Sequence, residues 1–128
     1  MLQRYSPIAY SLMRIVAGFL YACHGAQKLF GVLGGQAELH DPEGLLAGLI
    51  EFFGGSLISV GIFTRVAAFV ASGEMAVAYF KAHAPRGFWP ILNRGELAAL
   101  LCFVFLFISS QGDGSWSVGR FWKRRSVK

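Results

Sequence analysis

Six ionisable residues stand inside long apolar stretches of this chain: Arg14, His24, Lys28, Glu51, Glu74 and Glu96. At the centre of a bilayer each would cost roughly 2.5–3.5 kcal/mol on insertion scales, so residues of this kind turn inward and pair with one another or line a polar cavity. Three carboxylates, two permanent cations and an imidazole can do acid–base chemistry. Arg14 and Lys28 suit contact with an anion or a carbonyl, and the glutamates suit proton handling. Acids and bases nearly cancel, which leaves one carboxyl, or His24, to hold an exchangeable proton. The same charges could equally serve only to lock helices together, since buried ion pairs can specify an arrangement without chemistry.

The spacing says how these residues are presented. Arg14, Gly18, Tyr21, Gly25 and Lys28 follow at steps of 4, 3, 4 and 3, which is one stripe along a helix. His24, four before Lys28, lies on its flank. Gly44, Gly48, Glu51 and Gly55 form a second stripe, and Ala67, Ala71, Glu74 and Ala78 a third. Small residues beside each acid let a neighbouring backbone come close, so the charged faces are also the packing faces.

The elements that must carry these stripes are long apolar helices. About 20 apolar residues cross a bilayer core, and four segments qualify: residues 7–33, 44–63, 66–82 and 91–110. Gly34 to Pro42 is a polar, acidic connection, Thr64-Arg65 a very tight one, and His83 to Pro90 a third. The expected fold is all-α, an antiparallel up-down four-helix bundle in the membrane, in a single domain. With span centres near Phe19, Phe53, Glu74 and Leu101, Glu74 falls at mid-membrane and Glu51 about 3 Å outward. Glu96 and His24 fall about 7 Å outward, and Arg14 about 7 Å inward. Lys28, His24, Glu51 and Glu96 are thus expected to meet in the outer half, with Glu74 as the partner of Arg14.

Composition agrees. Hydrophobic residues make up 55% and charged ones 15% of 128 residues, against roughly 25% charged in soluble domains. The net charge of +5 is concentrated at the end: Arg120, Lys123, Arg124, Arg125 and Lys128 stand in a basic tail over 115–128. Such a tail suits an anionic membrane surface, and no groove-reading element supports nucleic-acid binding. Arg4, Arg65 and the five tail residues fall on one side, Lys81, Arg86 and Arg94 on the other. Seven against three places both termini in the cytoplasm. Cys23 and Cys102 lack the spacing of a zinc or redox motif and read as small buried hydrophobes. Leu20-Tyr21-Ala22-Cys23 loosely resembles a lipoprotein cleavage box, but the apolar run before it is too short, so the N-terminus is expected to be retained. A b-type haem would need two facing histidines; His83 stands beside Pro85 at a span end and His40 in a loop, which disfavours it. No catalytic triad, phosphate loop, nucleotide fingerprint or metal site is present.

Several short motifs run in a recognisable order: Arg14-Ile15-x-x-Gly18 with Gly25-x-x-Lys28-Leu29, Glu51-Phe52-Phe53-Gly54-Gly55, Gly61-x-x-Thr64-Arg65, Glu74-Met75-Ala76-x-Ala78, Asn93-Arg94-Gly95-Glu96, and Gly112-Asp113-Gly114 with Ser115 and Ser117. On these the chain resembles the DoxX family, with Asp113 standing where the family usually has a proline. The resemblance implies a multi-pass protein of the bacterial cytoplasmic (inner) membrane. It also implies a link to quinone-dependent oxidoreductases, the namesake being associated with thiosulfate oxidation, and to membrane complexes of oxidative stress. No redox cofactor site is visible, so a catalytic partner subunit would be needed and this chain would be at most a non-catalytic or quinone-interacting subunit. A small proton-coupled transporter, for which four spans would call for a homodimer, and a scaffold holding a soluble partner through its tail stay open beside it.

Overall fold

A computed structural model describes residues 1–127, and the description is all-helical with no strand among those residues. A single 3-10 turn, Leu2–Tyr5, leads into α1, Ser6–Phe30. Pro7 lies in its first turn, where a missing N–H costs nothing, and Gly31 ends it in the left-handed conformation, φ 66°, with its N–H bonded back to the Gln27 carbonyl. Asp41 caps the next helix by accepting from the Gly44 N–H at 3.1 Å. That helix runs as α2, Pro42–Leu49, a π-helical turn, Ile50–Gly54, and α3, Gly55–Val60. The chain turns at Gly61 and Phe63, both at positive φ. It continues as α4, Thr64–Ala78, with a second π turn at Tyr79–His83. A short α5, Pro90–Asn93, precedes α6, Glu96–Gln111, and the chain closes with α7, Val118–Ser126.

Two antiparallel pairs make the body. α1 runs against α2 and α3, with Gly25 on Phe52 and Gly18 on Gly55 and Ser59. A Cβ at Gly18 would stand 2.5 Å from the Ser59 nitrogen, and one at Gly25 2.6 Å from the Phe52 Cα, so the two backbones meet at distances only glycine allows. α4 runs against α6, joined where the Ser72 hydroxyl donates to the Cys102 carbonyl at 2.7 Å. Both termini and the α3–α4 turn share one end, called here the terminal end. The α1–α2 and α4–α6 connections share the far end, bridged on the surface by Lys81 and Glu43 at 2.7 Å.

The interior is built largely from small and polar residues. Ala17, Ala67, Ala68, Ala71 and Ala98 are buried together with Ser11, Arg14, Glu51, Thr64 and Asn93. Ile58, Leu101, Phe105 and Ile108 complete the core, and many other large apolar side chains point outward: Val66 is 69% exposed and Phe103 68%, with Phe19, Phe53, Phe69 and Leu100 similar. Apolar cover this extensive is not tolerated against water and is natural against lipid. Leu2–Phe30 and Pro42–Val60 are each long and apolar enough to cross a bilayer.

Several expected boundaries shift. The turn expected at Thr64-Arg65 lies at Gly61–Phe63, because Gly61 takes the left-handed cap. Thr64 already opens α4. The last long helix begins at Glu96 instead of residue 91, because Arg94 adopts φ 61° and ends α5. The basic tail is helical, and Ser117 caps it by accepting from the Arg120 N–H at 3.1 Å. Lys128 lies outside the described residues.

Candidate functional site

The predicted stripe on α1 faces inward as its spacing requires: Arg14, Gly18, Tyr21 and Gly25 are buried and Lys28 is partly so. Facing it, the π turn carries Glu51, 1% exposed. The Lys28 ammonium lies 2.7 Å from Glu51 Oε1. The other carboxylate oxygen, Oε2, is buried with no hydrogen-bond partner. Glu74 enters from α4, where Tyr21 donates its hydroxyl to Glu74 Oε2 at 3.0 Å. The two carboxyl groups and Lys28 stand within electrostatic reach of one another. The Tyr21 ring is wholly buried and rests on Phe105 of α6, ring centres 4.8 Å apart.

Lys28, Glu51, Glu74 and Tyr21 therefore form one cluster drawn from α1, the π turn and α4. Its chemistry is that of two acids sharing one cation. Two ionised carboxylates beside a single ammonium repel one another. Glu51 stands within the π turn, an irregularity frequent at functional sites.

Arg14 occupies a different setting. Its guanidinium donates to the carbonyls of Ile58 at 2.6 Å and Ser59 at 2.7 Å, and to that of Trp116. These are the unpaired carbonyls of a helix end and a loop carbonyl leading into α7. Glu74 was the expected partner of Arg14; the structure gives Arg14 to backbone oxygens and Glu74 to Tyr21. The offset along the helices is the physical reason, since Tyr21 is two turns nearer Glu74 than Arg14 is.

Two more expected members stand apart. His24 is exposed: one residue before the packed Gly25, it is turned about 100° off that face. Glu96 is exposed at the first residue of α6, where the helix dipole favours a carboxylate, and it does not join Lys28. His83 is spent on the Asn93 carbonyl at 3.1 Å. The buried Asn93 in turn donates to the Gly87 carbonyl at 2.9 Å and accepts from the Gly95 N–H at 2.8 Å, holding the far-end loop.

Tyr21 is the cluster member that sequence reasoning placed on the stripe without giving it a role. Its signal was available: a hydroxyl-bearing ring between two glycines on a packing face needs a partner for its polar end.

The DoxX family model matches residues 9–84, which span α1 through the second π turn and hold the whole cluster. A Haemophilus influenzae protein described as uncharacterized is 40% identical over 131 residues, covering 96% of this chain and 98% of its own length. No solved structure matches. With the outward apolar faces and the inward charges already described, the conclusion is that this chain is a membrane protein belonging to the DoxX family.

Proposed function

We propose that the chain crosses the bacterial cytoplasmic membrane four times, termini inward, as the membrane subunit of a quinone-linked redox system, and that the Lys28–Glu51–Glu74–Tyr21 cluster handles its protons. The observation that carries this reading is Glu51 Oε2, a buried carboxylate oxygen without a partner in a setting where an unmet acceptor costs about 1–3 kcal/mol. A proton or a donor ligand there removes the cost. Lys28, with its side chain 29% exposed, is the cluster's route outward and the group fitted to a carbonyl oxygen at its edge. A quinone would supply the electron-accepting chemistry. Glu51 and Glu74 would take up or release the accompanying proton, and Tyr21 would hold Glu74 in place. Electrons would come from a partner subunit.

Quinone-dependent activity in membranes carrying Glu51→Gln tests the reading. It should fall by roughly 10²-fold, the scale of a lost acid–base group, at unchanged protein level. Unchanged activity at unchanged level removes the cluster from the reaction.

A second reading has its own observation. Glu51 sits inside the π turn, where an interrupted helix could expose a site near mid-membrane. A proton-coupled transporter would then move protons in proteoliposomes holding this protein alone, whereas a redox subunit without its partner would move none.

A further inference from the structure

The terminal end holds a feature that the proton cluster does not use. α7 folds back under the α3–α4 turn, its Gly119 N–H bonded to the Gly61 carbonyl at 3.0 Å. Between them opens a cavity of about 970 Å³. Its lining includes the basic and polar side chains of Arg65, Arg120, Lys123 and Thr64 and the apolar ones of Phe63, Val66 and Trp122. Asp113 is its acidic member, 3.9 Å from the Lys123 ammonium.

We propose that this cavity holds the headgroup of an anionic phospholipid, with α7 lying along the membrane surface as its lid. Four observations point to that occupant. First, charge favours an anion: α7 carries Arg120, Lys123, Arg124 and Arg125 and no acid, and Asp113 alone opposes them within the cavity. Arg65 is engaged with the carbonyls that end α6, at 2.7 Å from that of Ser110, whereas Arg120 reaches the Ser115 hydroxyl at 3.3 Å and Lys123 reaches Asp113 at 3.9 Å, so these two are the more loosely held cations and the ones to meet a phosphate. Second, Thr64, 1% exposed, lines the cavity and its hydroxyl oxygen is buried without a hydrogen-bond partner. Third, Phe63, just before α4, and Val66, in its first turn, form an apolar wall of the cavity and are themselves exposed, so an acyl chain leaving the cavity lies on surface already turned to lipid. A free phosphate would leave that wall uncovered. Fourth, Phe121 and Trp122 are exposed on α7 beside its cations, the mixture of aromatic and basic residues found on helices that rest in the headgroup layer. The Arg125 guanidinium covers the Phe121 ring, 4.7 Å from its centre. The inference rests on the membrane reading and is independent of the redox role.

The test is native mass spectrometry of the full chain released from vesicles of equal phosphatidylglycerol and phosphatidylethanolamine. Wild type should retain phosphatidylglycerol in preference to phosphatidylethanolamine, and Arg120→Gln/Lys123→Gln should lower that preference by roughly 30-fold, the scale expected for losing two cations at the surface. Arg124→Gln/Arg125→Gln, outside the cavity, should keep most of it. Equal retention of both lipids by wild type overturns the proposal. Equal loss from both variants also overturns it, since attraction would then be diffuse. Displacement of the lipid by millimolar inorganic phosphate would overturn the lipid as occupant. Unchanged helical circular dichroism in each variant separates lost binding from lost folding, and quinone-dependent activity of Arg120→Gln/Lys123→Gln keeps failure here distinct from failure of the redox reading.

Discussion

Arg14 and the Lys28–Glu51–Glu74 cluster sit on the same face of α1, two to four turns apart, and solve the same problem in opposite ways. Arg14 is wholly buried, and its two terminal nitrogens are met by backbone carbonyls of Ile58, Ser59 and Trp116, while its Nε is buried without a partner. Those oxygens belong to the end of α3 and a loop and do not titrate. The arrangement ties α1, α3 and the segment before α7 together, and it has no proton to give. The cluster pairs side chain with side chain, leaves Glu51 Oε2 unmet and puts two carboxyl groups beside one ammonium. One region is a clasp on fixed backbone dipoles, the other a set of side chains that face one another.

The sharpest way to break this contrast is Arg14→Leu, which leaves three carbonyls without donors. A loss of about 3–5 kcal/mol is expected from the unmet acceptors, read as collapse of the melting temperature in detergent and of protein level in cells. Arg14→Lys should recover only part of it, since one ammonium cannot reproduce the planar fork. If Arg14→Leu were well folded, the clasp would be no clasp.

Gly25→Ala comes next. Its Cβ would press on the Phe52 backbone and push the π turn off α1, at about 1–3 kcal/mol. Because the displacement would part Lys28 from Glu51, quinone-dependent activity should fall further than thermal stability. Equal activity would mean that the pair's geometry does not matter.

A double-mutant cycle on Lys28→Met and Glu51→Gln should give a coupling of about 1–2 kcal/mol, below that of a fully buried pair because Lys28 reaches solvent or headgroups. Zero coupling would reduce the ion pair to proximity. Tyr21→Phe removes one hydroxyl from Glu74 and should cost about 1 kcal/mol, with a visible effect on activity only if Glu74 takes part. Smallest of all, His24→Ala and Glu96→Gln should stay within about 0.5 kcal/mol, since neither joins the cluster; a large loss of activity from either would extend the site beyond it.

The sequence by itself determined the helices and which face of each turns inward, because a 3.6-residue period allows only one face to gather Arg14, Gly18, Tyr21, Gly25 and Lys28. Gly44, Gly48, Glu51 and Gly55 likewise had to face a close neighbour, and Lys28 met Glu51 as expected. Tertiary structure decided the partners. Periodicity gives the azimuth of a residue on its own helix but not the height and rotation of the next one, so Glu74 met Tyr21, and His24 and Glu96 fell outside. Backbone carbonyls are the same for every residue type, so nothing in the letters could announce that the terminal nitrogens of Arg14 would be held by Ile58, Ser59 and Trp116. The π turn that carries Glu51, and the return of α7 beneath Gly61, depend on contacts between segments far apart in the chain and are settled only when those segments pack.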